Sequence, residues 1–173
     1  MIMPRGAGQL LLPVNPAFIA LSVFLALLAD MVPIGRFPAM PDFLSVVLVF
    51  WGVHQPRRVG VVWAFVLGLM IDIHHGALLG QHALAYSLLS FGAITLHRRL
   101  TGFSLGAQAL QVLPLFVLAH AVSLLVRLAV GGMWPGWTLL LAPLFETLLW
   151  PLASLLLLAP QRRAPDRDAH RPL

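Results

Sequence analysis

The chain has no cysteine, which rules out a disulfide framework and any thiolate metal site. It also has no lysine, so all 11 basic residues are arginine. Charge is scarce: 10% of the residues are charged, while 60% are hydrophobic and the mean hydropathy is +0.90. A soluble core of 173 residues does not need so much apolar material. An integral membrane bundle does, because most of its residues face lipid or other helices. That composition argues strongly against a water-soluble enzyme. There is no His-Glu-x-x-His motif and no phosphate-cradling glycine loop. Ser45, Ser87, Ser90 and Ser123 have no visible base and orienting acid, which argues against a serine intramembrane protease. No soluble domain, long loop or clear repeat stands out, and the length suits one domain.

What is present is organised around residues 59–96, bracketed by Arg57-Arg58 and Arg98-Arg99. Those 38 residues contain one acidic group, Asp72. As one helix they would be about 57 Å long, against a bilayer core of about 30 Å. One span is too long and two fit, with the break in IDIHHGALLGQH at residues 71–82. A hairpin returns both arginine pairs to one side of the membrane, and arginine excess marks the cytoplasmic side. The net charge of +5 is thus a topology signal rather than a nucleic-acid footprint: Arg57, Arg58, Arg98, Arg99, Arg162, Arg163, Arg167 and Arg171 all lie beside or after apolar runs.

Taken in order, the pattern predicts spans at residues 16–32, 38–54, 59–73, 80–96, 105–130 and 138–159. Asn15 and Pro16 suit a helix start. With one basic residue ahead of it and no clear small-x-small cleavage site before Asp30, the first run is expected to be a retained span rather than a signal peptide. The proline-punctuated loop PIGRFPAMP, residues 33–41, leads to a second segment that is short for a crossing. It crosses if neighbouring helices shield its ends, and is otherwise a half-buried helix. Pro114 is expected to kink the fifth segment. Trp134 and Trp137 in the next turn suit an interfacial belt. The tail, residues 160–173, is charged, proline-rich and expected to be disordered and cytoplasmic. The whole is predicted as a single transmembrane domain, an all-α six-helix bundle with both termini inside.

Several stretches resemble the rod-shape-determining MreD family, in its proteobacterial form. They are Pro41-Asp42-Phe43-Leu44, Gln55-Pro56-Arg57-Arg58-Val59-Gly60, the run from Ala64 to Asp72, the run from Gly76 to Tyr86, Leu96-His97-Arg98-Arg99-Leu100, Pro135-Gly136-Trp137, Leu149-Trp150-Pro151 and Pro160-Gln161-Arg162-Arg163. The resemblance covers about residues 40–163. It implies a non-enzymatic component of the bacterial cell-elongation and peptidoglycan-synthesis complex in the inner membrane. Its partners would be MreC, MreB filaments, and the synthase RodA with its transpeptidase partner. It also implies a fold like the substrate-binding membrane subunits of energy-coupling-factor vitamin transporters. A small-solute binding subunit of such a transporter is therefore the alternative function, because fold does not settle function.

Asp72, Arg127 and Glu146 are the ionisable residues well inside predicted spans. A charge there costs at least ~2.5 kcal/mol by insertion scales, so it needs a partner or a wet cavity. Helix rise and side-chain tilt predict that Asp72, His82, Arg127 and Glu146 converge in the outer half of the bundle. In that arrangement Arg127 pairs with Glu146, leaving Asp72 to His82 or a loop amide, or protonated. These four are candidates for structural or partner-binding roles; Arg57, Arg58, Arg98, Arg99, Arg162 and Arg163 are topology determinants. His74, His75 and His82 flank a turn with Asp72 as the only nearby carboxylate, a pattern for a polar outer loop rather than a metal site. His120 is expected to hydrogen-bond a neighbouring helix. No cofactor and no metal are expected; the partners are membrane lipid and the proteins named above.

Overall fold

Asn15 accepts a hydrogen bond from the Ala17 amide at 3.0 Å, and Pro16 follows at the first helical position. This cap starts the first of six α-helices in the structure, a computed structural model that describes residues 14–32 and 40–161. The helices are α1 Pro16–Met31, α2 Phe43–His54, α3 Val61–His75, α4 Gln81–Leu100, α5 Leu105–Ala129 and α6 Ala142–Leu158. A 3₁₀ turn at Trp137–Leu141 leads into α6, and another at Ala159–Gln161 ends it. Among the described residues there is no strand. Asp42 caps α2, which is why that helix begins at Phe43 rather than near residue 38. Gly76, at φ 62°, closes α3, and Gly80, at φ 103°, opens α4; both need the left-handed region that glycine enters freely. The helix α5 runs unbroken through Pro114. Arg5, Arg36, Arg162, Arg163 and the rest of the tail lie outside the described residues, as does most of the proline-rich loop at 33–39.

Two helical stretches, Leu105–Ala129 and Trp137–Gln161, are long and apolar enough to cross a membrane; α1, α2 and α3 are shorter apolar helices. The shortest, α2, sits at the centre, packed against α1, α4 and α6. Leu44, Leu48, Val49, Phe50 and Trp51 are each 0% exposed, so its apolar surface is covered all round. Outside it, α3 packs on α4, and α5 bridges α4 and α6.

Specific contacts fix the helix directions. Trp51 meets Ser22 and Phe18 while Phe43 meets Asp30, so α1 and α2 are antiparallel. Asp42 meets Tyr86 and Gly52 meets Ala93, so α2 and α4 are parallel. Gln81 meets Ser123 and Gly92 meets Leu115, so α4 and α5 are antiparallel. His120 meets Glu146 and Gln108 meets Trp150, so α5 and α6 are antiparallel. With the α3–α4 hairpin, every helix reverses its predecessor. The α2–α3 and α4–α5 turns, carrying the two arginine pairs, therefore share one end of the bundle. Val14 lies there too, its carbonyl bound by Arg58 Nη1 at 2.9 Å.

Candidate functional site

The opposite end of the bundle holds every described carboxylate. Each is placed by the start of a helix, where unpaired amides and the helix dipole favour negative charge. Asp30, in the last turn of α1, accepts from the Phe43 and Leu44 amides at 3.0 and 2.7 Å, capping α2 from outside that helix. Asp42 caps the same helix from within, its Oδ1 accepting from the Ser45 amide at 2.7 Å. Asp72, in the last turn of α3, does for α4 what Asp30 does for α2. Its Oδ2 accepts from the Gly80 and Ala83 amides at 2.9 and 3.4 Å, and its Oδ1 from the His82 amide at 2.8 Å. Gly80 has no side chain with which to cap α4, so the preceding helix supplies the cap.

These groups form one polar chain across the bundle. The His82 ring lies 2.7 Å from Asp72 Oδ1 and 6.1 Å, centroid to centroid, from the Tyr86 ring. The Tyr86 hydroxyl donates to Asp42 Oδ2 at 2.5 Å. The Asp42 amide donates to Glu146 Oε1 at 3.1 Å, and His120 Nε2 lies 2.7 Å from the same oxygen. Asp72 and Glu146 are both 0% exposed, and Tyr86 is buried. The second oxygen of Glu146 is buried with no partner among the described residues. The chain thus ties α1, α2, α3, α4, α5 and α6 together at one end.

Of the four residues expected to converge, Asp72, His82 and Glu146 belong to this chain and Arg127 does not. The expected Arg127–Glu146 ion pair is absent: Glu146 takes His120, and Arg127 is exposed near the end of α5. Two local features explain the difference. Trp137–Leu141 is 3₁₀, rising about 2 Å per residue rather than 1.5, which carries Glu146 deeper than an α-helical count allows. Arg127 is also seven residues past His120, roughly 10 Å along the helix, and the chain folds back on it as the Gly132 amide binds its carbonyl. Asp30, Asp42, Tyr86 and His120 complete the centre without having been among the four. The signal for Asp42 was available: an aspartate after proline and before an apolar run is an N-cap pattern. His74, His75 and His82 stand in a row, with ring centroids 5.4 and 5.6 Å apart. Among the described residues, no three His, Asp or Glu side chains are arranged to hold a metal ion. Two surface grooves, of about 370 and 490 Å³, are lined by apolar residues such as Phe43, Phe145 and Leu148 in one and Leu113 and Val117 in the other.

The model of the family described as rod shape-determining protein MreD matches residues 10–159, a stretch that contains the whole polar chain. The chain belongs to the MreD family. The rod shape-determining protein MreD of Haemophilus influenzae is 30% identical over 125 residues, covering 72% of this chain and 77% of that protein. No solved structure matches. Membership gives a role in rod-shape determination, in a family of structural rather than enzymatic proteins.

Proposed function

We propose that this chain is a non-enzymatic membrane scaffold of the bacterial cell-elongation complex. It crosses the inner membrane six times with both termini in the cytoplasm, beside MreC, MreB and RodA with its transpeptidase partner. MreD-family membership carries this reading. Two features of the fold support it. The carboxylates gathered at one end of the bundle bind backbone amides and side chains of neighbouring helices, which holds the helices in register. The outward faces are apolar, with Val62, Leu110 and Leu148 each more than 70% exposed, as suits helices that meet lipid or a partner helix. The alternating helix directions and the shared end of the two arginine pairs favour six crossings and the stated orientation.

Deleting the gene in a rod-shaped host is expected to give round cells, and purification in mild detergent is expected to bring down MreC or the synthase pair. A deletion strain that keeps its rod shape but loses uptake of a vitamin would transfer the assignment to solute transport.

A further inference from the structure

The end of the bundle opposite the polar chain is as one-sided in charge as the polar chain itself. Arg57 and Arg58 follow α2, and Arg98 and Arg99 end α4. These two helices are parallel and in close contact: a Cβ on Gly52 would lie 3.0 Å from that of Ala93. Arg57 lies in the turn that follows α2 and Arg98 in the last turn of α4, so both pairs stand at the same end of the bundle. All four side chains are exposed. Arg58 is held in place by the Val14 carbonyl. Among the described residues, no carboxylate forms an ion pair with any of the four.

The surroundings of the patch indicate what it meets. Val62 and Trp63, in the first turn of α3, are 76% and 62% exposed, and Phe103, just past α4, is 45% exposed. Exposed apolar and aromatic side chains therefore lie directly beside exposed guanidinium groups, which is the layering of a membrane interface. Guanidinium presents a planar fork of donors that matches the oxygens of a phosphate, and this chain uses arginine alone. We infer that Arg57, Arg98 and Arg99, braced by Arg58, form a binding site for the phosphate headgroup of an anionic phospholipid. The site seats the headgroup at the arginine end of the bundle, with the acyl chains along the exposed apolar residues of α3 that begin at Val62 and Trp63. It rests on the membrane reading above but not on which side faces the cytoplasm.

The test uses the full chain, purified and delipidated in detergent and observed by native mass spectrometry and thermal unfolding. Phosphatidylglycerol should be retained and should raise the unfolding midpoint; phosphatidylcholine and inorganic phosphate should not. R57Q/R98Q/R99Q should bind phosphatidylglycerol on the order of a hundredfold more weakly at low salt, since each of the three cations near an anionic surface contributes about 1 kcal/mol and about 1.4 kcal/mol is a factor of ten. R98K/R99K, which keeps the charge needed for insertion, should fall between the two. Equal retention of the two lipids, or undiminished binding by the triple variant, would overturn the site. Stabilisation by inorganic phosphate as strong as by the lipid would reduce it to a free-anion site. Tighter binding of an acidic peptide than of the lipid would give the patch to a protein partner instead. A wrong topology would show in labelling from outside the cell and leave these detergent measurements untouched.

Discussion

Asp72 accepts from three backbone amides and lies 2.7 Å from the His82 imidazole while fully buried, and so closes the α3–α4 turn. Asp72→Ala would strand those amides, at about 1–3 kcal/mol for each donor left without a partner. The variant should lose stability and accumulate poorly, whereas Asp72→Asn, which keeps one acceptor oxygen, should lose less; thermal unfolding in detergent separates the two. An alanine variant as stable as the parent would mean the carboxylate does not hold the turn. Glu146 and His120 invite a double-mutant cycle, because a 2.7 Å contact between a buried carboxyl and a half-buried imidazole should couple. Glu146→Gln and His120→Ala together should cost about 0.5–3 kcal/mol less than their sum. Arg127→Ala should change stability by no more than about 0.5 kcal/mol, because the side chain is exposed and Glu146 has another partner. The importance of Asp72 and Glu146 was legible in the sequence, since a carboxylate deep in an apolar run must be satisfied somewhere. Their partners were not. Which neighbour reaches Glu146 depends on a 3₁₀ turn that hydropathy does not reveal, and Asp30 sits so near the end of its run that it reads as a boundary residue rather than a cap for the next helix.

The hairpin of α3 and α4 depends on a missing side chain. A Cβ on Gly68 would lie 2.5 Å from the Ala83 nitrogen, so the two backbones touch where a larger residue would force them apart. In a membrane, where lipid is as apolar as leucine, such close approach replaces the hydrophobic effect as the source of helix association. Gly68→Ala is therefore expected to destabilise the protein sharply, while Gly60→Ala, with nothing within 4 Å of its added Cβ, should be tolerated. Equal stability of the two variants would show that the hairpin can open without cost. Element existence was readable throughout: each apolar run became a helix, with ends displaced by a few residues where a cap intervened. The role of α2 was harder to read. Its 12 residues span only about 18 Å, and composition alone does not say whether a short apolar helix lies at the surface or at the centre. Its enclosure by α1, α4 and α6 decides for the centre.

For the molecule as a whole, the described carboxylates are gathered at one end, set into helix starts, while the two arginine pairs lie at the other and Arg127 alone of the described arginines lies towards the carboxylate end. The carboxylates are buried or part-buried among protein partners, whereas the arginine pairs are exposed, so the arginine end is the one that can respond to a membrane surface or to the insertion machinery. The length argument from residues 59–96 anticipated that both pairs would share an end, because a hairpin must return. The alternating directions of all six helices could not be read from length alone and follow from the cross-bundle contacts. The absence of cysteine makes orientation directly measurable, since a single introduced thiol has no background. Leu79, in the α3–α4 turn, and Met133, between α5 and α6, are 65% and 82% exposed, and both lie at the carboxylate end. Ser104, between α4 and α5, is exposed at the arginine end. Leu79→Cys and Met133→Cys should react with a membrane-impermeant maleimide added to intact spheroplasts, and Ser104→Cys only after lysis. Labelling of Ser104→Cys from outside would invert the proposed orientation. Protection of Met133→Cys alongside labelling of Leu79→Cys would mean that α5 and α6 do not both cross, which would reduce the number of spans while leaving the α3–α4 hairpin in place.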